Sequence, residues 1–214
     1  MTTGAEQAYI AAMSRESVIQ AYSQWTDVFV EEALIISRYV RNGARVLDLG
    51  CGSGRMAGPL LKRGCTYLGV DASDGMISAA QSLHPDLSFV TENIVDYTYG
   101  AGDYDAVLLM HNVIDSLYPY GRRRAFLASC YERLGDGILI FSSHLADTGP
   151  AYVAEDYHGV TVHNFRAPHG WHITELEELG YQVLMSIQCE RSNRYDWSYF
   201  VAQHRLSADV ARQP

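Results

Sequence analysis

Residues 46–54 read VLDLGCGSG, and this stretch decides the fold. Its first four residues form an aliphatic run with a single carboxylate, Asp48, and three glycines follow at every second position, Gly50, Gly52 and Gly54. A short apolar run that ends in glycines is typical of a buried parallel strand that turns tightly into a helix. Because glycine has no side chain, such a turn lets a nucleotide approach the backbone closely. The sequence therefore predicts a nucleotide-binding loop, and Asp48 bears on which nucleotide it holds.

Strands and helices alternate on the carboxyl side of this loop. The pattern predicts helices over residues 55–62, 74–83 and 121–134, and strands over 45–49, 66–70, 87–90, 104–110 and 137–143. A succession of this kind demands a parallel sheet with helices on both faces. We therefore predict an α/β fold with a doubly wound, mostly parallel sheet.

The two ends of the chain depart from the alternation. Apolar residues recur at helical spacing between Tyr9 and Tyr39, so residues 1–42 are predicted to be a helical segment. Residues 145–170 are rich in Gly, Pro, His and Tyr without a clear period, and they are predicted to be an irregular insertion. Beyond them the sequence predicts a helix over 173–179 and two strands, 182–189 and 197–204, joined by a polar turn at 190–195. This antiparallel hairpin brings the sheet to seven strands within one domain, 1–214.

Composition favours a small-molecule partner. The chain of 214 residues is 48% hydrophobic, which suits one domain with a sizeable core, and its formal net charge of −9 opposes binding to nucleic acid or to an anionic membrane. Cys51, Cys65, Cys130 and Cys189 form no disulfide framework or C-x-x-C pair. No leader-like start or membrane-length apolar run is evident, so we expect a cytoplasmic protein. The sequence does not decide the oligomeric state.

Two nucleotides could fit the glycine loop. Residues 52–57 match the G-x-G-x-x-A form of the dinucleotide fingerprint, and Asp71 lies near the distance expected for a ribose contact. A pyrophosphate in that loop would, however, bring its negative charge close to Asp48. S-adenosylmethionine instead places an ammonium group there, which a carboxylate attracts. An NAD-dependent oxidoreductase remains the alternative.

The run from Asp48 to Gly54, an acidic residue followed by G-x-G-x-G, resembles the hallmark of class I S-adenosylmethionine-dependent methyltransferases. The resemblance extends from about Arg45 to the end of the sheet and implies a Rossmann-like fold. It implies that Asp48 and the three glycines hold the cofactor. Small-molecule members of this family often carry an N-terminal lid, and Tyr9, Tyr22 and Trp25 would lie on it. A stripe of helix core residues is the competing interpretation of these three aromatic residues.

The same resemblance assigns residues to the nucleoside. Asp71, at the end of the second strand, would bind both ribose hydroxyls, with Ala72 beside it and Met76 against the adenine. Asn93, followed by Ile94, stands where the family commonly has an aspartate for the adenine amino group. An amide oxygen can also accept from that amine. Taken singly, the glycines also fit an ordinary tight turn and Asp71 a helix N-cap.

His111 is the predicted catalytic residue. It follows the fourth strand, at the sheet edge where ligands bind in doubly wound folds, and an imidazole suits proton transfer near neutrality. Packing beside the cofactor or capping the next helix are equal alternatives, and Asp115 is the nearest substitute. The absence of a D/N-P-P-Y/F run after this strand disfavours exocyclic base amines as acceptors.

Histidines and aromatic residues in 145–170 are predicted to face the substrate. His169 and His172 lack a convincing acidic ligand, so no metal site is predicted. The expected function is methyl transfer from S-adenosylmethionine to an oxygen or nitrogen of a small metabolite. The alternatives are an NAD-dependent oxidoreductase and a protein that binds S-adenosylmethionine without catalysis.

Overall fold

A mixed sheet of nine strands runs through the computed structural model, which describes residues 3–190 and 196–205. The strands are β1 Arg45–Leu49, β2 Thr66–Asp71, β3 Ser88–Thr91, β4 Ala106–Leu109, β5 Ile138–Leu145, β6 Ala151–Tyr157, β7 Val160–Ala167, β8 Tyr181–Cys189 and β9 Trp197–His204. The helices are α1 Gly4–Met13, α2 Glu16–Gln24, α3 Val30–Tyr39, α4 Ala57–Leu61, α5 Asp74–Leu83, α6 Tyr120–Leu134 and α7 His169–Glu178. A 3-10 turn, Val113–Ser116, follows β4.

The sheet has the predicted doubly wound order. Strands β3, β2, β1, β4 and β5 are neighbours in that order and all parallel. Strand β9 then pairs with β5 antiparallel, and β8 pairs with β9. The prediction of a mostly parallel sheet that ends in an antiparallel hairpin is therefore confirmed. Of the polar turn predicted at 190–195, residues 191–195 lie outside the described residues.

Two apolar layers cover the two faces of the sheet. Leu47 and Leu49 of β1 belong to a layer with α6 and α7, whereas Val46 belongs to a layer with α3 and α4. Successive side chains of a strand point to opposite faces, so a strand that is buried on both sides is continuously apolar. Asp48 interrupts that run and is nevertheless only 1% exposed.

The prediction that residues 145–170 lack regular structure is wrong. They contain the hairpin β6–β7, whose ladder runs from Ala151 and Arg166 to Tyr157 and Val160. Two features explain why the sequence does not predict this hairpin. The tip, His158-Gly159, has positive φ at both residues, a turn that Asn-Gly or Asp-Gly usually marks. The buried side of β7 includes a polar residue, Asn164, so the alternation of polar and apolar residues is lost.

The hairpin β6–β7 extends the sheet beyond the end of β4. Strand β5 pairs with β4 only as far as Phe141, and its last residues, His144 and Leu145, pair with β7. Since β9 occupies the other edge of β5, β7 lies on the same side as β4 and continues above its carboxyl end. The hairpin thus stands at the sheet edge where the candidate site lies.

The N-terminal segment is helical, as predicted, but it is divided into α1, α2 and α3. Thr3 caps α1, and its hydroxyl and Glu6 form a reciprocal capping box. Helix α1 packs against β7 and the 3-10 turn, and α2 packs against α5. Two predicted helices have shifted bounds: 55–62 shortens to α4 and 173–179 lengthens to α7. Within the described residues, no helix has the length and apolar character needed to cross a membrane.

Candidate functional site

A cavity lies at the carboxyl ends of β1, β2, β3 and β4, and it encloses about 930 Å³ of space, part of which is open to solvent. Its walls come from the glycine loop after β1, from the ends of β2, β3 and β4, and from helices α1 and α2. The lining residues are Glu6, Tyr9, Ile10, Met13, Tyr22, Asp48, Gly50, Cys51, Gly52, Ser53, Arg55, Met56, Asp71, Ala72, Ser73, Asn93, Ile94, Met110, His111, Val113, Ser116 and Leu117.

The glycine loop owes its shape to backbone bonds and close packing. The N–H groups of Gly50 and Cys51 both donate to the carbonyl of Val70, at 2.7 and 3.1 Å, which turns the chain over the end of β2. Gly50 has φ +78°, and a Cβ there would lie 2.3 Å from Val113 Cγ2. Gly52 has φ +53°, and its missing Cβ would point into open space 4.0 Å from the Tyr22 ring. Glycine is therefore required for packing at Gly50, and at Gly52 it keeps the cavity open.

Asp48 presents a buried carboxylate oxygen without a partner. The Tyr67 hydroxyl donates to Oδ2 at 2.7 Å. Oδ1 is buried and makes no hydrogen bond within residues 3–190 and 196–205. Burial raises the pKa of Asp48 to about 7, although the Tyr67 hydrogen bond and the Arg55 charge oppose the rise. Burial of an unpaired carboxylate costs free energy, so Oδ1 is matched to a cationic or hydrogen-donating ligand group.

Asp71 is the last residue of β2, and its carboxylate lies against the glycine loop. Its Oδ2 accepts the Gly52 N–H at 2.9 Å, and its Oδ1 accepts the Ser73 N–H at 2.9 Å. Burial raises the pKa of Asp71, and these backbone donors oppose the rise. Each oxygen keeps a lone pair for a further donor, as two neighbouring hydroxyl groups would provide.

Four further predicted cofactor residues divide into two groups. Ala72, Asn93 and Ile94 line the cavity next to Asp71. Asn93 Oδ1 also accepts the Val95 N–H at 3.1 Å, so the amide oxygen is shared with its own turn. Met76, on α5, is fully buried and does not line the cavity.

Gly54, the last glycine of the motif, also lies away from the cavity. It has φ +81°, and a Cβ there would lie 3.1 Å from the His84 ring and 3.3 Å from Phe89. Its position serves the packing of the loop against α5 and β3. Gly54 and Met76 thus lie outside the lining of the cavity, and their contact with the cofactor stays a prediction.

His111 projects into the cavity from a strained turn after β4. His111 and Asn112 have φ +56° and +61°, a conformation that residues other than glycine seldom adopt. The Asn112 N–H donates to Ser142 Oγ at 2.8 Å, which helps to hold the turn. The imidazole lies edge-on to the rings of Trp25 and Trp197, with centroids 4.8 and 4.9 Å away. Strain of this kind clusters at functional sites.

The comparisons with known proteins agree with this geometry. Residues 46–137 match the family described as methyltransferase domain. Residues 46–137 are thus a methyltransferase domain. Among proteins of known sequence, it is 33% identical over 111 residues to the ubiquinone biosynthesis O-methyltransferase of Dinoroseobacter shibae, which covers 48% of this chain and 42% of that protein. It is 35% identical over 69 residues to the demethylmenaquinone methyltransferase of Beutenbergia cavernae, or 32% of this chain and 29% of that one. The chain spans half the length, or less, of these relatives.

Solved methyltransferase structures share the fold over most of the chain. The 1,6-didemethyltoxoflavin-N1-methyltransferase of Burkholderia thailandensis, solved with 1,6-didemethyltoxoflavin and S-adenosylhomocysteine, superposes with a TM-score of 0.70 at 19% identity, covering 95% of this chain and 92% of that one. A methyltransferase from Methanosarcina mazei gives 0.70 at 16% identity, covering 85% and 100%. The predicted family and fold are confirmed.

The N-terminal segment of the methyltransferase fold covers the glycine loop. Ser53 Oγ donates to the carbonyl of Tyr22 at 2.9 Å. Arg55, the residue after the glycine motif, makes a bidentate ion pair with Glu32 of α3 at 2.5 and 2.8 Å, and both side chains are buried. The Arg55 guanidinium also lies 4.4 Å from the Trp25 ring centroid. The segment is therefore fastened directly to the loop, and sequence reasoning missed Arg55 because its partners come from another part of the chain.

The hairpin tip closes over the same segment. The hydroxyls of Tyr22 and Tyr157 lie 3.2 Å apart, and Arg15 donates to the carbonyl of His158. Of the predicted lid residues, Tyr9 and Tyr22 line the cavity, whereas Trp25 packs behind His111. The N-terminal helices and the β6–β7 hairpin thus form one cover.

Asp115, considered as a substitute base, lies outside the cavity lining and is fully buried. Its Oδ1 accepts from Ser143 Oγ at 2.5 Å, and its Oδ2 accepts the backbone N–H of His144 at 2.7 Å. The His144 Nδ1 lies 2.9 Å from the same Oδ2, and its Nε2 lies 3.1 Å from Asn112 Nδ2. Asp115 therefore holds the turn that carries His111 and is not placed to contact a substrate.

His169 and His172 have partners that explain their positions without a metal. The two ring nitrogens of His169 lie 2.6 and 3.0 Å from the hydroxyls of Ser198 and Ser186. His172 is buried, and its Nε2 lies 3.4 Å from Ser143 Oγ. Burial lowers the pKa of His172 well below the usual value. Within the described part of the chain, no group of three His, Cys, Asp or Glu side chains could hold a metal ion.

One wall of the cavity comes from α1, and Tyr9 is the one residue of this wall that was predicted from the sequence. Glu6, Tyr9, Ile10 and Met13 line it from α1, and their spacing of i, i+3, i+4 and i+7 places them on one face of the helix. The same spacing is typical of a core stripe, so the sequence could not distinguish the two.

Proposed function

We propose that this chain transfers a methyl group from S-adenosylmethionine to an oxygen or nitrogen of a small metabolite. Asp48 Oδ1, which has no hydrogen-bond partner among the described residues, carries the proposal. A buried carboxylate beside the glycine loop suits the cofactor's ammonium group. It equally disfavours the pyrophosphate of NAD, whose charge has the same sign. The match to a ubiquinone biosynthesis O-methyltransferase, over 48% of this chain, supports methyl transfer to an oxygen of a small molecule.

The cavity offers a fitting group for each part of the cofactor. Asp48 would hold the ammonium, and Asp71 would accept from both ribose hydroxyls. Asn93 and Ile94 would contact the adenine from the end of β3. Gly52 keeps the space between the loop and Tyr22 open for the ligand. When bound, the cofactor supplies a methyl group on a positively charged sulfur.

His111 has the position expected of a residue that meets the acceptor. It lines the cavity at the end of β4, and its ring orientation is fixed by Trp25 and Trp197. In its neutral form the imidazole would take the proton that a hydroxyl or ammonium acceptor loses. Tyr22 and Tyr157 close the cover and keep water from the reacting atoms.

Calorimetric titration tests the cofactor. We expect S-adenosylmethionine and S-adenosylhomocysteine to bind, and NAD to give no heat at the same concentrations. The Asp48→Asn variant is the matched control, because it keeps the size of the side chain and removes its charge. Binding of NAD in preference to both sulfur compounds would refute the proposal. A protein that only stores the cofactor would bind it and leave the methyl group in place.

A further inference from the structure

His144, near the end of β5, is a polar side chain that the proposed reaction leaves without a role. Its side chain is 13% exposed and does not line the cavity. Its Nδ1 lies 2.9 Å from Asp115 Oδ2, and its Nε2 lies 3.1 Å from Asn112 Nδ2. Because Asn112 follows His111 in the turn after β4, His144 joins a buried carboxylate to the turn that carries the predicted base.

The two contacts of the His144 ring determine which of its nitrogens carries the proton. Asp115 already accepts from Ser143 Oγ and from the His144 backbone N–H, so its carboxylate acts as an acceptor. Nδ1 therefore donates to Asp115, and Nε2 of the neutral ring accepts an N–H of the Asn112 amide. With that amide turned over, its oxygen would face the lone pair of Nε2, and two acceptors repel each other. His144 thus sets the orientation of the Asn112 amide.

The Asn112 side chain depends on this contact. Asn112 is 3% exposed, and its Oδ1 is buried without a hydrogen-bond partner within residues 3–190 and 196–205. The turn needs support, because His111 and Asn112 both have positive φ, which persists only where the surrounding structure holds it. Without His144, the amide would lose its restraint and the turn would keep only its backbone hydrogen bonds.

We propose that His144 is a positioning residue for His111. By orienting Asn112, it keeps the turn in the conformation that directs the His111 ring into the cavity. The inference rests on the proposed function, in which His111 meets the acceptor. Reacting groups tolerate little misplacement, so a small shift of the ring slows the transfer. Asp48 and Asp71 lie on other strands with partners of their own, so cofactor affinity should not depend on His144.

Two substitutions of His144 separate its contacts. Glutamine can place its oxygen near the position of Nε2 and accept from Asn112, whereas asparagine is too short for this and offers an N–H to Asp115 instead. We expect His144→Gln to keep about half of the methyl-transfer rate or more, and His144→Asn to lose about tenfold. Both should bind S-adenosylhomocysteine within about twofold of the unchanged chain.

The rate is measured with S-adenosylmethionine labelled in its methyl group and a protein-free extract of the cells of origin, and affinity is measured by calorimetry. Equal rates in the two variants, or a slower His144→Gln, overturn the inference. Both variants lose the ring contact of His144 with Trp197, so equal losses would assign the effect to that contact. A cofactor affinity that falls together with the rate also overturns it, because general damage to the fold lowers both. An unchanged chain that moves no label overturns the proposed function, and the inference with it.

A substitution of Asn112 removes the same contact from the other side. Glycine adopts positive φ without strain, so Asn112→Gly deletes the amide and leaves the backbone of the turn unstrained. We expect this variant to slow transfer about tenfold, and the double variant with His144→Asn to be no slower than either single one. Losses that multiply in the double variant would show that the two residues act separately, and would overturn the inference.

NMR of the histidine rings gives a measurement that needs no acceptor. The His111 signal is identified by its loss in His111→Ala, and the rings of Trp25 and Trp197 shift it. We expect the shift to persist in His144→Gln and to change in His144→Asn. A His111 signal that stays in place in His144→Asn would overturn the positioning role.

Discussion

Acid should weaken cofactor binding through one residue, Asp48. Burial raises the pKa of its carboxyl to about 7, so the group loses its charge as the pH falls through neutrality. An ammonium group binds the charged form, because only a carboxylate offers it an ionic partner. Bound cofactor therefore lowers the pKa of Asp48, and binding releases a proton wherever the free protein holds one.

The size of the effect follows from that pKa. At about pH 6 roughly nine-tenths of the Asp48 carboxyl groups are protonated, so affinity should be about tenfold below its limit in mild alkali. At about pH 7 the loss shrinks to roughly twofold, with about half a proton released for each ligand bound. Tyr67→Phe removes a hydrogen bond that lowers the pKa of Asp48, so it should move the whole dependence to higher pH.

Calorimetry with S-adenosylhomocysteine measures both quantities. Titrations at several pH values give the affinity, and titrations in two buffers of different ionisation enthalpy give the protons released. Asp48→Asn should bind more weakly at pH 8 and show little dependence on pH between 6 and 8. Equal affinity of the unchanged chain at pH 6 and pH 8 would contradict the role of Asp48, and so would the same pH dependence in Asp48→Asn.

Four further substitutions test the site. Gly50→Ala should lower the unfolding free energy by about 2 kcal/mol or more, and Gly52→Ala by only about 1, because only the first Cβ meets Val113; equal losses in thermal denaturation would contradict this. Asp71→Ala should stay folded by circular dichroism and weaken S-adenosylhomocysteine binding about a hundredfold as two charge-assisted hydrogen bonds are lost; unchanged affinity would rule out the ribose contact. His111→Ala should slow methyl transfer about a hundredfold with nearly intact cofactor affinity, and an unchanged acidic limb in its pH-rate profile would exclude His111 as the base.

The central sheet could be predicted from the sequence because its signals are local. Strand β1 and helix α5 have the predicted bounds, since an aliphatic run ends in glycine and Ser73 caps a periodic segment. The hairpin β6–β7 could not be predicted, because β6 is largely exposed and its tip uses His158 where Asn or Asp is usual. The breaks between α1, α2 and α3 likewise follow no glycine or proline.

The candidate site likewise contains residues whose place could be predicted from the sequence and residues whose place could not. Asp48 and Asp71 stand at fixed distances from the glycines, so their place at the cavity follows from the motif. The motif does not predict the contacts of Glu6 and Arg55, because their partners lie far along the chain. Glu6 pairs with Arg122, and Arg55 pairs with Glu32. Gly54 belongs to the same motif, yet it packs close to His84 and Phe89 and does not line the cavity. The motif alone does not show which of its glycines face the cavity.

Methyl transfer itself is the most direct test. S-adenosylmethionine labelled in its methyl group is incubated with the chain and a protein-free extract of the cells of origin, and both the labelled product and S-adenosylhomocysteine are quantified. The account predicts that label moves to a small molecule and that one S-adenosylhomocysteine forms for each methyl group transferred. Cofactor that binds with the expected affinity but keeps all its label would contradict the account.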